Sequence, residues 1–233
     1  MGTRRRLPAH SPGARQVGIA RQASLPIRQV WAYSGGVQSD EAVETGLRAR
    51  KKLTTRQALA RAALRLAVER GPGNVRREDI AAAVDVSLRT FTNYFSSKEE
   101  AIVSLAIDRA AGIGVALRGR PAAEPLGEAL IAAFVEQHAQ ATPSREWIAQ
   151  IRVIVCAPEL QGAYLTALAG IERLLAEAIA ERTGTDVRLD LHPRAVAAAA
   201  CAAERVAIGY WLDSDRVLPL AEVLRQAIGQ VVR

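Results

Sequence analysis

At 233 residues the chain can bury a substantial core in one large or two small domains. Ala and Leu dominate its apolar half and aromatic residues are sparse, which argues against a sheet protein and for an all-α fold. Charge is unevenly spread: residues 1–97 carry 17 Lys/Arg against 7 Asp/Glu, a net of +10, whereas residues 98–233 carry 14 against 17, a net of −3. That division points to a polyanion-binding module joined to a second domain of another kind.

Residues 1–50 read as a disordered basic tail, rich in Gly, Pro, Ser and Gln, with eight Arg opposing three acids. Arg4, Arg5 and Arg6 are followed by Pro and Gly instead of an apolar run, so no targeting segment is predicted. The apolar stretch Ala195 to Ala203 is about half the ~20 residues that a membrane span needs. The expectation is a soluble, cytoplasmic protein with no membrane association. Cys156 and Cys201 lack any metal-ligand spacing and read as two buried free thiols.

From Thr54 a helical pattern begins. Thr54 or Thr55 is the expected cap, Leu59, Ala63 and Leu66 form the stripe, and Gly71, Pro72 and Gly73 end the helix near Arg70. A second helix is predicted from Arg77 to Val84. A third runs from Leu88 to Tyr94 with Ser87 as cap, and Ser97 caps a fourth that starts at Lys98 and ends by Gly119. Proline and glycine breaks then mark five more, near 124–141, 144–156, 158–183, 194–212 and 217–231, for about nine in all.

The second and third of these helices have the spacing of a helix-turn-helix. Ile80, Val84, Val86, Phe91 and Tyr94 or Phe95 supply its small core, Ala81 is the small residue at the crossing, and Asp85 takes the left-handed turn position that glycine usually fills. Phe91 and Phe95 are therefore core residues. The outward face of the third helix shows Leu88, Arg89, Thr90, Thr92, Asn93 and, partly, Tyr94. Arg reads guanine edges, Asn reads adenine, and hydroxyls bind phosphate. Lys98 opens the next helix, whose backbone amides also attract phosphate.

The stretches "ALARAALRLAVERG" and "EDIAAAVDVSLRTFTNYFSSKEEAI" resemble the TetR family of one-component bacterial repressors. The match is close over about 50 residues. Thr92 departs from a common Tyr, and Arg76 stands where a capping Thr is common, so an Arg–phosphate contact is expected there. The resemblance implies an all-helical homodimer on double-stranded operator DNA. Residues 51–97 would form the three-helix DNA-binding domain and residues 98–233 a larger helical domain for ligand and dimerisation. Ligand binding would release the operator. Arg89, Thr90, Thr92, Asn93 and Tyr94 are expected at the groove, with Thr55, Arg77 and Lys98 on phosphate, and the basic tail should add salt-sensitive affinity.

The segment "REWIAQIRVIVCAPELQGAYLTALAGIERLLAEAIAERTG" is similar to the ligand domains of mycofactocin-type regulators, which implies an acyl-CoA-like effector. Leu105, Phe134, Tyr164, Leu168 and Ile171 can wall an apolar pocket. His138, on a largely apolar helix, fits a core or pocket position better than a catalytic base. Arg152, among apolar residues, needs an acid, a solvent gap or an anionic ligand. The expected effector is a small hydrophobic molecule, an acyl-CoA or fatty acid first. The last two helices, with Ala195, Ala198, Ala199 and Ala202 on one and Leu220, Val223 or Leu224, Ala227 or Ile228, and Val231 on the other, are expected to form the dimer bundle. Catalysis is not expected: the three histidines are scattered and no nucleophile, phosphate-binding or metalloprotease motif is present, so neither enzyme activity nor a cofactor is predicted.

Overall fold

The computed structural model describes residues 40–139, 143–214 and 217–232. By contact the chain divides into Met1–Val43 and Glu44–Arg233, and the second unit carries everything discussed below. The expected tail therefore lies mostly outside the described residues, and residues 40–50 of it are helical. The described residues contain ten α-helices and no strand: α1 (Asp40–Arg70), α2 (Arg77–Ala82), α3 (Leu88–Thr92), α4 (Lys98–Ala110), α5 (Gly112–Gly119), α6 (Leu126–Ala139), α7 (Arg145–Cys156), α8 (Gln161–Thr183), α9 (Leu191–Asp213) and α10 (Leu220–Val231). Only Ala111, itself in right-handed helical conformation, separates α4 from α5, so the single predicted helix over this stretch is present with one interruption.

Thr54 and Thr55 do not cap α1. Both lie within it, and their hydroxyls donate to the carbonyls of Arg50 and Lys51, one turn back, which lets the helix run on past them. The other caps fall as expected: Ser87 accepts from Thr90 N at the start of α3, and Ser97 accepts from Glu100 N at the start of α4. Asp85 sits at φ 54°, and Val86 N donates to the Ala81 carbonyl across it, a Schellman-type closure that ends α2 and aims the chain into α3.

The reading head closes around Leu59, Ala63, Leu66, Ile80, Phe91 and Phe95, all buried, with the two phenyl rings 5.8 Å apart. Arg56 joins α1 to α4: its guanidinium lies 5.1 Å from the Phe95 ring centroid and 2.7 Å from Asp108.

In the larger helical body, α8 packs on α9, α4, α5 and α7, while α10 packs on α9 and α6. The stripe of α10 is therefore mostly turned into the chain itself, with Val231 exposed at its end. Leu220, Val223, Leu224 and Ile228 are buried in the chain's own core, with Leu224 at 0% exposure, which corrects the expectation for this helix. α9 differs. Its buried side carries Ala197, Ala200, Cys201, Glu204 and Ile208, and its outer side carries Ala195, Ala198, Ala202, Val206 and Tyr210 in the open, the last two 60% exposed. By length and composition α9 could cross a membrane, yet half of its most apolar window is buried within the protein, as befits a core helix. Of the two cysteines, Cys201 is buried as expected and Cys156 is exposed.

Candidate DNA interface and effector cavity

Fixed from below by buried Phe91, the short helix α3 turns Leu88, Arg89, Thr92 and Asn93 to solvent and leaves Thr90 and Tyr94 half-buried. The hydroxyls are already engaged. Thr90 Oγ1 lies 3.0 Å from Ser87 Oγ, and Thr92 Oγ1 donates to the Arg89 carbonyl, leaving the Thr92 methyl as an outward group. The side chains of Arg89 and Asn93 have no hydrogen bond or ion pair within the described residues, so both donor sets are free for base edges.

Beside α3, an open cleft of about 380 Å³ lies between the starts of α2 and α4, with Arg76, Arg77, Ser96 and Ser97 along it. Arg76 occupies the N-cap of α2. Lacking an acceptor oxygen it cannot cap; instead its backbone N–H donates to Asp79 at 3.1 Å, and its guanidinium is left at the surface. Arg77 is likewise exposed. Glu78 and Glu99 also border this cleft and limit how many phosphates it can hold.

Two expected phosphate ligands have side chains engaged elsewhere, although Lys98, at the start of α4, lines this cleft. Thr55 spends its hydroxyl proton on Lys51, as described. Lys98 turns inward: its Nζ donates to the carbonyls of Pro72, Gly73 and Val75 at 2.9, 3.3 and 2.8 Å, which uses all three donors of an ammonium. The reason is local: the turn after α1 presents these three carbonyls to Lys98, and that of Pro72 also accepts from Val75 N at 3.4 Å. Lys98→Met should consequently lower the melting temperature, with a loss on the order of 1.5–3 kcal/mol, the range for hydrogen bonds to a charged group. The slope of log K against log salt should stay unchanged, whereas losing a phosphate contact flattens it by about 0.9.

The second candidate site is a partly open, mainly apolar cavity of about 40 Å³ among α4, α6, α7, α8 and α9. Of the seven residues expected around a ligand, His138, Tyr164 and Leu168 line it; Leu105, Phe134, Arg152 and Ile171 do not. Phe134 is fully buried elsewhere in the core. Arg152 is exposed and donates to the Leu212 carbonyl at 3.0 Å, so it meets neither Glu146 nor Glu159 nor the cavity. That removes the basis for an anionic end held by Arg152. Trp147, Ile151, Ile154 and Glu204 line the cavity without having been anticipated. Glu204 was detectable in principle: it falls in phase with Ala197, Ala200, Cys201 and Ile208 on the buried side of α9.

Glu204 and His138 form the polar centre of this cavity. His138 Nε2 lies 3.2 Å from Glu204 Oε1, and the two side chains are 10% and 8% exposed. His138 Nδ1 lies 2.9 Å from the Phe134 carbonyl, so both ring nitrogens face acceptors, an arrangement that suits the imidazolium. Burial pushes the His138 pKa down and Arg109 pushes the same way, but the Glu204 hydrogen bond and charge, with the Phe134 carbonyl, outweigh them and hold it above the ordinary value. A folded-state pKa raised in this way gives stability that is complete below about pH 6.5 and fades as the pH rises through the raised value. The melting-temperature advantage of the wild type over His138→Gln should therefore shrink on going from pH 6 to pH 9. Burial, then Glu204, also pushes the Tyr164 phenol up to about 12, so it stays a neutral donor. Trp147 stands edge-on to Trp211 with ring centroids 6.1 Å apart. The Trp211 indole N–H donates to the Leu218 carbonyl at 3.0 Å, but that of Trp147 is buried and meets no acceptor among the described residues.

A helix-turn-helix head with an unengaged reading face, set on a helical body with an internal cavity, defines a DNA-binding regulator. The comparisons agree. Residues 59–103 match the family described as "Bacterial regulatory proteins, tetR family", and residues 123–233 match the "MftR C-terminal domain". The HTH-type transcriptional regulator TcmR of Streptomyces glaucescens is 35% identical over 175 residues, covering 71% of this chain and 76% of that protein. The chain belongs to the TetR family of transcriptional regulators. Among solved structures, NalD of Pseudomonas aeruginosa, the secondary repressor of the MexAB-OprM multidrug efflux pump, has a TM-score of 0.53 at 18% identity, covering 78% of this chain and 98% of NalD. The FadR repressor of Thermus thermophilus, in complex with lauroyl-CoA, has a TM-score of 0.51 at 23% identity, covering 76% of this chain and 96% of FadR. At these identities the two structures bear on the fold: all-α, with the head and body arranged as in this family.

Proposed function

We propose that the protein is a repressor that binds a palindromic operator as a homodimer and is released by a small hydrophobic effector. The observation that carries the reading is the outward face of α3, where Arg89 and Asn93 stand free on a helix held in place by buried Phe91. One such helix reads only a few base pairs, so useful specificity needs two half-sites about one helical turn apart. The outer side of α9, with small Ala195, Ala198 and Ala202 beside exposed Val206 and Tyr210, suits a second copy related by two-fold symmetry.

The effector site is the cavity around Tyr164 and Leu168. It now holds little more than a few water molecules, against the roughly 300–1,000 Å³ of a site for a drug-sized ligand. An effector must therefore part the helices, and α4, which supplies Ala106, Ile107 and Ala110 to one wall, also anchors the head through Lys98. Such a ligand binds the parted state better, which is the differential affinity that release requires. The test is an electrophoretic shift with a duplex spanning the intergenic DNA beside the protein's own gene. A single retarded species with two protomers per duplex, abolished by an apolar compound, is expected; binding that is indifferent to sequence would sink the reading.

A further inference from the structure

Resting on the cavity as the effector site, the geometry points to the chemical class of the effector: an uncharged, largely apolar molecule that carries a ketone, phenol or alcohol oxygen at its buried end. Three observations carry this. The cavity's one buried cationic partner, His138, is already matched by Glu204 at 3.2 Å, and its second nitrogen is matched by the Phe134 carbonyl. A carboxylate brought into the interior would meet the Glu204 charge and find no unpaired cation, and a buried unpaired charge is strongly disfavoured. The other cation on the lining is Arg109, which is exposed at the rim, where solvent screens it. Against this, the interior has hydrogen-bonding capacity to spare. The Trp147 indole N–H is buried with no acceptor among the described residues, and the Tyr164 hydroxyl makes no hydrogen bond to any of them. A ligand oxygen within reach of the Trp147 N–H supplies the acceptor it lacks. The hydrocarbon tail of a fatty acyl group offers the Trp147 N–H nothing, and its anionic head is disfavoured beside Glu204 and left with Arg109 at the rim.

The experiment measures the binding of matched probes to the full-length protein at pH 7.5 by calorimetry: 2-naphthol against 2-naphthoate, 1-decanol against decanoate, and lauroyl-CoA alone. In the wild type the alcohol or phenol of at least one pair should bind tenfold or more tightly than its carboxylate and more tightly than lauroyl-CoA. Glu204→Gln removes the charge at nearly constant shape and frees His138 for an anion, so the gap should close to threefold or less. Trp147→Phe removes the donor together with the five-membered ring, and should weaken the neutral probe severalfold more than its carboxylate partner, which a packing loss alone would weaken equally. Carboxylate or lauroyl-CoA binding equal to or tighter than the neutral probe, still blocked by the cavity-filling change Leu168→Trp, would overturn the proposed class and leave the cavity as the effector site. Binding of no probe, or binding that Leu168→Trp leaves untouched, would overturn both.

Discussion

Arg89→Ala and Asn93→Ala should each abolish operator recognition while leaving the fold intact. Neither side chain has a hydrogen bond or ion pair within the described residues, and both are exposed, so their removal should leave the melting temperature within about a degree. At the operator the expectation is very different. A good bidentate base contact contributes about 1–3 kcal/mol, and a symmetric dimer makes each one twice, so a single change should cost about 2–6 kcal/mol, roughly thirtyfold to ten-thousandfold in affinity. Binding to random DNA, dominated by phosphate contacts, should weaken far less, and for Asn93→Ala hardly at all. Fluorescence anisotropy with operator and scrambled duplexes separates the two. Equal losses on both would mean that α3 sits on the backbone and that another element reads the bases.

Leu224→Asp and Val206→Asp put the same charge on two apolar faces with opposite expected results. Leu224 is fully buried between α10 and its neighbours in the same chain, so an aspartate there is an uncompensated buried charge costing about 3–5 kcal/mol, a large part of the total stability of a typical domain. The variant should be insoluble or melt far below the wild type. Val206 lies in the open on α9, so its variant should remain folded, run as a monomer in sedimentation, and lose operator binding because one head lacks a second half-site. A folded, dimeric Val206→Asp would move the proposed dimer contact off this face.

These two helices also show what the sequence could and could not tell. The reading head was legible almost residue by residue, because its determinants are local: Ser87 and Ser97 each cap the helix beginning one residue later, Asp85 takes the left-handed position, and Phe91 and Phe95 close the core at the expected spacing. An amphipathic stripe such as that of α10 announces that it will be buried but not against which chain, and here its partners are α6 and α9. Polar residues inside apolar runs are hard to place for a related reason. For Arg152 the sequence leaves an acid, a solvent gap or an anionic ligand open, and the structure takes the solvent gap, with the guanidinium on the Leu212 carbonyl. Glu204 was read as the end of an apolar run, when its phase along α9 puts it inside, and its counter-charge His138 is 66 positions away, beyond the reach of any local pattern. The start of α1 was misplaced because a threonine that caps and one that bonds back to the preceding turn look the same in a sequence.

α4 gives the molecule leverage. It is tied to the head at both ends, by Lys98 on the carbonyls that follow α1 and by Asp108 on Arg56, which also covers the Phe95 ring. These contacts couple a tilt of α4 to the head. From Lys98 to Ile107, at the cavity wall, is about 14 Å of helix at 1.5 Å per residue. A sideways push of ~1 Å at the cavity end then tilts the rod by about 4°, and in a two-fold dimer the two heads tilt in opposite senses. In the proposed dimer, with half-sites about 34–36 Å apart along the duplex, the operator would measure the separation of the heads like a fixed gauge, and an angular error made twice would be harder to absorb than a lost contact.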